Sequence, residues 1–383
     1  MAEREKQTQR NNDVRGGYYD YSLLFLTLFL VAFGLIMIYS TSSYTAQLTK
    51  GDSMYYLKRQ GVSAVLGVVG MLIMSKLNYR MFLAKLPIIK IRFVTLIYII
   101  AIALQVYVLL FGVEINYKRR WIDIGKFGTF QPSDLSKVAV ILFVSFMIYL
   151  APKEINHFKG FFRIAIYTSP LIILIGKENM STAIIICLIM GGICFVASKK
   201  KGYFVAAVLI MLVGAALFLV FGEGFRLNRF DIWLNVETNK DAFQILQGLY
   251  AIASGGLTGK GLGGSMQKLG YVPEAQNDMI FSIICEELGL FGAVTVLILF
   301  VLLIWRLFII SINAPDLFGG LLCGGVLIHI ASQVIINVAV VTNSIPSTGI
   351  PLPFISYGGT SVAVLLGEIG MALSVSNRVR YER

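Results

Sequence analysis

Charge is scarce in this chain. Of 383 residues only 14% are Asp, Glu, Lys or Arg while 57% are hydrophobic, and the mean hydropathy of +0.76 lies outside the range of a soluble globular domain. Histidine is nearly absent: His157 falls in a polar link and His329 in an apolar run, so neither stands where an external base is needed. The four cysteines, Cys187, Cys194, Cys285 and Cys323, all lie within apolar runs. There they read as small buried hydrophobes, without the spacing of a disulfide framework or a zinc site. Residues 1–20 are polar and contain no short apolar stretch ending in a small-residue cleavage site, so a cytoplasmic tail is expected and no removable leader. No soluble domain, low-complexity linker or internal repeat is visible in the remainder.

What is present is a series of apolar runs. A membrane helix needs about 20 such residues, and windows fall near 21–40, 60–77, 92–112, 134–151, 163–176, 181–198, 203–221, 279–305, 316–342 and 358–375. The expected fold class is therefore all-α: a polytopic membrane protein with about ten transmembrane helices, one large extracytoplasmic loop at 222–278 and an interrupted helical hairpin at 163–198. The membrane domain spans 21–375, and 376–383 is a second cytoplasmic tail. A net charge of +12 invites a nucleic-acid reading, but the basic residues are scattered among short links, so no nucleic acid is expected. Lys and Arg are more numerous on the links that share a side with the N-terminus, among them Arg80, Lys85, Arg92 and Lys199 to Lys201. The positive-inside rule then places both termini in the cytoplasm of a multi-pass plasma-membrane protein, leaving 113–133, 222–278 and 343–357 outside.

Chemistry is sought on those outer segments. Asp278 ends a polar loop just where an apolar helix begins; taken alone it also suits a helix N-terminus through the dipole. Glu286 and Glu287 lie about two turns further on, where an uncompensated charge costs roughly 3 kcal/mol at a helix centre and usually marks a site. Lys118-Arg119-Arg120-Trp121 places cations beside an aromatic. Guanidinium forks match phosphate oxygens, although Trp121 equally suits an interfacial anchor. Lys137, three residues after Asp134, either pairs with it on one helix face or lines a cavity. Arg226, Arg229 and Trp233 open the long loop, and apolar residues recurring over 241–253 predict an amphipathic helix lying on the membrane. The run Gly255 to Gly264 resembles a phosphate loop, but Ser254 stands where a Walker motif needs Gly and Gly261 where it needs Ser or Thr. A tightly turning segment that positions Asp278 is the better reading. Three prolines and three glycines between Ser344 and Ser361 preclude a continuous helix there. Such backbone at membrane depth belongs in the wall of a cavity.

The run Gly261-Leu-Gly-Gly-Ser-Met-Gln-Lys-Leu-Gly-Tyr-Val-Pro-Glu-Ala-Gln-Asn-Asp-Met-Ile-Phe281, then Glu286-Glu-Leu-Gly-Leu-Phe-Gly292, closely resembles the signature of the shape, elongation, division and sporulation family, FtsW, RodA and SpoVE, with wording nearer FtsW and SpoVE. Pro351-Leu-Pro-Phe-Ile-Ser-Tyr-Gly-Gly-Thr-Ser361 is a second match, and Arg119-Arg-Trp-Ile and Phe130-Gln-Pro-Ser are further pieces. The resemblance implies a peptidoglycan glycosyltransferase that polymerises lipid II during division or sporulation, with Asp278 in the catalytic position. It implies substrate contacts at Arg119, Arg120, Trp121, Gln131, Lys137, Arg226, Arg229, Glu274, Ser356 and Tyr357. It also implies a divalent cation, Mg2+ or Mn2+, for which no ligand spacing is visible, and a single-span class B penicillin-binding protein as partner beside other divisome or sporulation proteins. The family's usual Glu-Pro-Asp-x-Gly-Thr is here Lys177-Glu-Asn-Met-Ser-Thr182, with Asn179 in place of the acid. A lipid II flippase or a non-catalytic division scaffold stays open as an alternative.

Overall fold

The computed structural model describes residues 18–87, 90–115, 118–123, 125, 129–202 and 224–379. Nine of the described helices are long and apolar enough to cross a membrane. They are α1 (Tyr21–Lys50), α2 (Tyr55–Lys76), α3 (Phe93–Phe111), α4 (Pro132–Leu150), α5 (Phe158–Glu178), α6 (Met180–Ala197), α9 (Ile280–Ile312), α10 (Leu317–Val341) and α11 (Gly359–Ser376). Two shorter helices, α7 (Gly224–Leu234) and α8 (Phe243–Gly255), lie in the long loop. The expected span at 203–221 falls outside the described residues. A three-stranded antiparallel sheet, β1 (Val113–Ile115), β2 (Lys118–Asp123) and β3 (Thr129–Phe130), lies between α3 and α4, a feature that the hydropathy pattern does not carry.

α4 and α11 are the most enclosed spans, whereas α2, α3 and α5 leave most of their apolar surface outward. Val65 is 64% exposed and Leu110 61%, an outer face suited to lipid. α2 and α11 lie close enough that a Cβ at Gly67 would stand 2.9 Å from Ala363 Cα, the small-residue approach expected where helices associate without a hydrophobic driving force. Asp20 caps α1 by accepting from Leu23 N at 2.9 Å, and its carboxylate pairs with Arg306 at 2.7 Å. Its own amide donates to Ser376 Oγ at 2.9 Å, and Tyr18 N donates to Val379 O at 3.2 Å. The beginning of α1 and the end of α11 thus share one end of the bundle.

The expected hairpin forms, with longer helices, and one expected span is corrected. The broken hairpin consists of two full-length helices joined at Asn179 alone, which accepts from Thr182 N at 3.2 Å as the N-cap of α6. Asn is as good a cap as Asp, so the missing acid at this position has a structural account. The span near 279–305 is longer and is broken. α9 runs to Ile312, and Gly289 interrupts it with φ 66° and ψ −168°. The part after the break has about 23 residues, roughly 35 Å of helix and sufficient to cross a bilayer. The part before it stands against α8 and the glycine-rich segment.

That segment closes the break. A helix interruption frees carbonyls on one side and amides on the other, and these need partners when buried. Lys260 N donates to Glu286 O at 3.0 Å and Gly261 N to Glu287 O at 2.9 Å, while Leu290 N donates to Gly256 O at 2.9 Å and Phe291 N to Leu257 O at 3.2 Å. The approach leaves no room for a side chain: a Cβ on Gly289 would meet Gly259 N at 2.3 Å. Gly289→Ala should therefore combine left-handed strain with overpacking and lose ~2–4 kcal/mol. Gly61→Ala, in open helical space, should be neutral or stabilising. Thermal melts of the two variants in detergent provide the comparison; equal melting temperatures would remove the break as a structural keystone.

Candidate active site

Asp278 sits at one end of the bundle, two residues before α9. Asn337 of α10 fixes it from below, donating through Nδ2 to Asp278 O and to Ile350 O, both at 2.8 Å. Tyr357 N donates to Gln276 O at 2.8 Å, so the proline-rich segment 343–358 is clamped along 274–279. A Cβ on Gly349 would stand 3.8 Å from Asp278 Oδ2. The residue is half-buried. Crowding of its carboxyl pushes the pKa up to about 6, with the nearby Glu274 charge adding to the rise and the Asp278 and Met279 amides opposing it. Glu274 itself is exposed, in a left-handed conformation at φ 48°, and accepts from Asn277 Nδ2 at 2.7 Å.

Basic residues connect to the proline-rich segment that packs along this carboxylate. α7 docks on the proline-rich segment, with Trp233 Nε1 donating to Asn343 O at 2.9 Å and Arg229 Nη1 donating to Ser347 O at 3.2 Å. Arg120, on β2, donates through Nε to Glu178 O at 2.9 Å. Burial lowers the pKa of its guanidinium, the Glu178 carboxylate raises it and Arg229 lowers it again, so the three charges lie within reach of one another. Arg119 is exposed, 3.5 Å from Glu114 across the β1–β2 ladder, with its amide donating to Glu178 Oε2 at 3.2 Å. Trp121 follows, half-buried. Arg226 belongs to α7, and its side chain lies outside the described part.

Other expected contacts are engaged within the protein. The Lys137 side chain is only 5% exposed and its ammonium is 2.8 Å from Asp134, the pairing alternative. Gln131 donates to Ser133 Oγ at 2.8 Å. Ser356, expected to touch substrate, is buried, and its hydroxyl accepts from Leu352 N at 2.8 Å; it closes a turn instead. Tyr357 is half-buried, edge-on to Tyr56 at 4.9 Å. The helix expected at 241–253 forms as α8, but its stripe of Ile245, Gly248 and Ala251 is buried, with Gly248 facing Met279 and Ser282. That face rests on the short half of α9.

Lys260 and Lys268 were not singled out from the sequence. Glu286 and Glu287 are wholly buried, yet Lys260 Nζ is 2.7 Å from Glu286 Oε1 and Lys268 Nζ is 2.7 Å from Glu287 Oε1. Ser265 hydrogen-bonds Glu286, and the amides of Met266 and Gln267 donate to it at 3.2 and 3.4 Å. Ser40 of α1 lies 2.7 and 2.8 Å from the two Glu287 oxygens and accepts from Lys268 Nζ at 3.0 Å. The signal available in the sequence was arithmetic: two adjacent acids in an apolar run require two cations. Both acids thus serve the loop's anchorage. His329, in its turn, pairs with Glu368 at 2.8 Å, both fully buried.

Among the described residues no three His, Cys, Asp or Glu gather as a metal cage. Glu274 and Asp278 nonetheless offer two carboxylates, which suits an ion such as Mg2+ that keeps several waters and takes substrate phosphates as ligands. The anchorage has a direct test. Lys268→Met leaves Glu287 buried without its cation and should lose ~3–5 kcal/mol, whereas Lys268→Met with Glu287→Leu should recover most of it. Additive losses in a double-mutant melting cycle would count against the pair.

A family model described as "Cell cycle protein", for FtsW, RodA and SpoVE, matches residues 21–381. Stage V sporulation protein E of Bacillus subtilis (strain 168) is 38% identical over 371 residues, covering 94% of this chain and 98% of that protein. A probable peptidoglycan glycosyltransferase FtsW of Geobacter sp. (strain M18) is 34% identical over 367 residues, covering 94% and 98%. Among solved structures, a chain described under structural coordination of polymerization and crosslinking by a peptidoglycan synthase complex superposes with a TM-score of 0.78 at 25% identity, covering 94% of this chain and 97% of that one. The rod shape determining protein RodA of Thermus thermophilus superposes with a TM-score of 0.68 at 25% identity, covering 95% and 98%.

Proposed function

The chain belongs to the FtsW, RodA and SpoVE family of cell cycle proteins, and from that membership we propose that it is a multi-pass membrane peptidoglycan glycosyltransferase with Asp278 as its general base. The substrate is lipid II, undecaprenyl-pyrophosphate-linked disaccharide, acting as both donor and acceptor. Relatives named as glycosyltransferases cover nearly the whole chain. The observation that carries the assignment to Asp278 is a carboxyl at the outer mouth whose pKa is pushed up to about 6, a value close to the pH at which a base must work.

The acceptor's 4-hydroxyl oxygen attacks the donor's anomeric carbon from the face opposite the pyrophosphate. A carbon–oxygen bond forms, the bond from that carbon to the phosphate oxygen breaks with its electron pair leaving on undecaprenyl pyrophosphate, and the hydroxyl proton passes to Asp278. Configuration inverts. Arg120 and Arg229 neutralise the charge that develops on the leaving pyrophosphate, and being partly withdrawn from water they act more strongly than surface cations. A Mg2+ or Mn2+ ion held by Glu274 and substrate phosphates would add Lewis-acid neutralisation of the same charge. The partner reading follows the solved complex: a penicillin-binding protein cross-links the strand polymerised here, in division or in sporulation.

Ionised Asp278 is the active form, so the rate should rise with pH, reach half its plateau near pH 6 and fall about tenfold per unit below that. Asp278→Asn keeps the size and capping ability but cannot take a proton, and should reduce polymerisation by purified protein at least ~10²-fold. Retention of more than about a tenth of the rate would move the base to Glu274, with Glu274→Gln as the parallel variant. Lipid II translocated without polymer would favour a transporter instead.

Orientation supplies a second test. With both termini cytoplasmic, a cysteine at Lys240 should react with an impermeant thiol reagent in intact cells and one at Lys200 should not. The reverse pattern inverts the topology and removes the mechanism.

A further inference from the structure

Polymerisation of two prenyl-pyrophosphate saccharides leaves one pyrophosphate to depart and one that stays attached to its chain. The arginines on the α7 side of Asp278 account for the first. A second cationic cluster lies where the start of α2 meets the proline-rich segment.

There the Arg59 guanidinium stands 5.0 Å from the Tyr55 ring centre and Lys50 Nζ stands 5.8 Å from the same ring. The Arg59 charge also lies near the Tyr357 hydroxyl, offsetting part of the rise that burial gives that phenol. An aromatic face and a phenol together hold a guanidinium in one orientation, with less rotamer freedom to lose on binding. Among the described residues neither Lys50 nor Arg59 forms an ion pair; the nearby Asp52 is taken by Lys58 at 2.8 Å. Gln60 locks the junction, with its Oε1 accepting from Gly358 N at 3.1 Å and its Nε2 3.5 Å from Ser356 O. The cluster is continuous with the base. Tyr56 packs edge-on against Tyr357 at 4.9 Å and is within electrostatic reach of both Arg59 and Glu274, and Glu274 in turn acts on Asp278.

The geometry points to Arg59, assisted by Lys50, as the subsite for the acceptor's pyrophosphate, with Tyr56, Tyr357 and Glu274 lining the path of its saccharide to Asp278. This rests on the glycosyltransferase reading above. The division of labour follows from exposure. A leaving pyrophosphate gains charge in the transition state and benefits from cations withdrawn from water, as at Arg120 and Arg229. The acceptor's pyrophosphate keeps its charge throughout, so its site needs only to bind and orient, which the exposed, aromatic-held Arg59 does. Arg59 is then a positioning residue whose loss acts on binding more than on the chemical step.

The test uses the full chain in nanodiscs, with lipid II as probe. In the turnover-blocked Asp278→Asn background, native mass spectrometry should find two bound lipid II molecules. Adding Arg59→Gln and Lys50→Gln should leave one, and adding Arg120→Gln should remove the other. In active protein, Arg59→Gln should raise the KM for lipid II about tenfold or more, the effect of one charge-assisted contact, while kcat falls much less and the melting temperature holds. Arg59→Lys should recover part of the KM. Nanodiscs made with phosphatidylglycerol instead of phosphatidylcholine distinguish the two sources of phosphate: if the anionic phospholipid displaces lipid II from this position, the site belongs to bulk lipid and the proposal falls. Unchanged stoichiometry and KM in the Arg59 variant of a polymerising protein overturn the subsite alone. Failure of the unmodified protein to polymerise overturns the enzymatic reading and the subsite with it.

Discussion

Backbone groups that water cannot reach must be paired within the protein, and in an apolar bundle this constraint governs where the chain is allowed to be irregular. The break at Gly289 is the point on which most of the outer architecture depends. Once α9 is interrupted, the carbonyls of Glu286 and Glu287 and the amides of Leu290 and Phe291 need partners, and residues 256–261 supply them. A segment rich in glycine is required because only bare backbone fits at that distance. The loop that carries Asp278 is thereby held at both ends, by this pairing on one side and by the start of α9 on the other.

Charge neutralisation reinforces the same anchorage. Glu286 and Glu287 are buried without exposure, and each meets a lysine from the loop at 2.7 Å. A buried pair of this kind is weak evidence for net stability, but removing either partner strands a charge. Its consequence is one of specificity: the loop has a single seat, with Ser40 tying it to α1 as well. Rigid support matters for a carboxyl whose pKa depends on crowding, because displacement of the loop would rehydrate Asp278 and return its pKa toward the ordinary carboxylate value.

Distant pieces of chain gather around this support. β2 brings Arg120, α7 brings Arg229, α10 brings Asn337 and the proline-rich segment brings Gly349 and Tyr357, while α2 adds Tyr56 and Arg59. Their joint geometry ties two separate cationic clusters to the segments packed around one carboxylate.

The sequence by itself determined the membrane class, the positions of nine spans to within a few residues at most ends, and Asp278 as the outstanding acid, because long apolar runs and a carboxylate at their edge are local features. The family was equally legible, in the residues around Asp278 and in 351–361. Tertiary structure alone decided that α9 breaks at Gly289, that the hairpin is two complete helices turning at Asn179, and that 113–130 contains a sheet. It also decided which polar residues are already engaged. The pairing of Lys137 with Asp134 was one of two readings open to the sequence, and the fold chose it; the engagement of Ser356 with Leu352 N and of the two loop lysines with Glu286 and Glu287 became visible only with the fold. Whether a side chain's charge or hydroxyl is satisfied within the protein depends on how the chain turns, and for the two loop lysines the partner lies 19 and 26 residues away. Hydropathy and motif spacing carry no information on that distance scale; packing does.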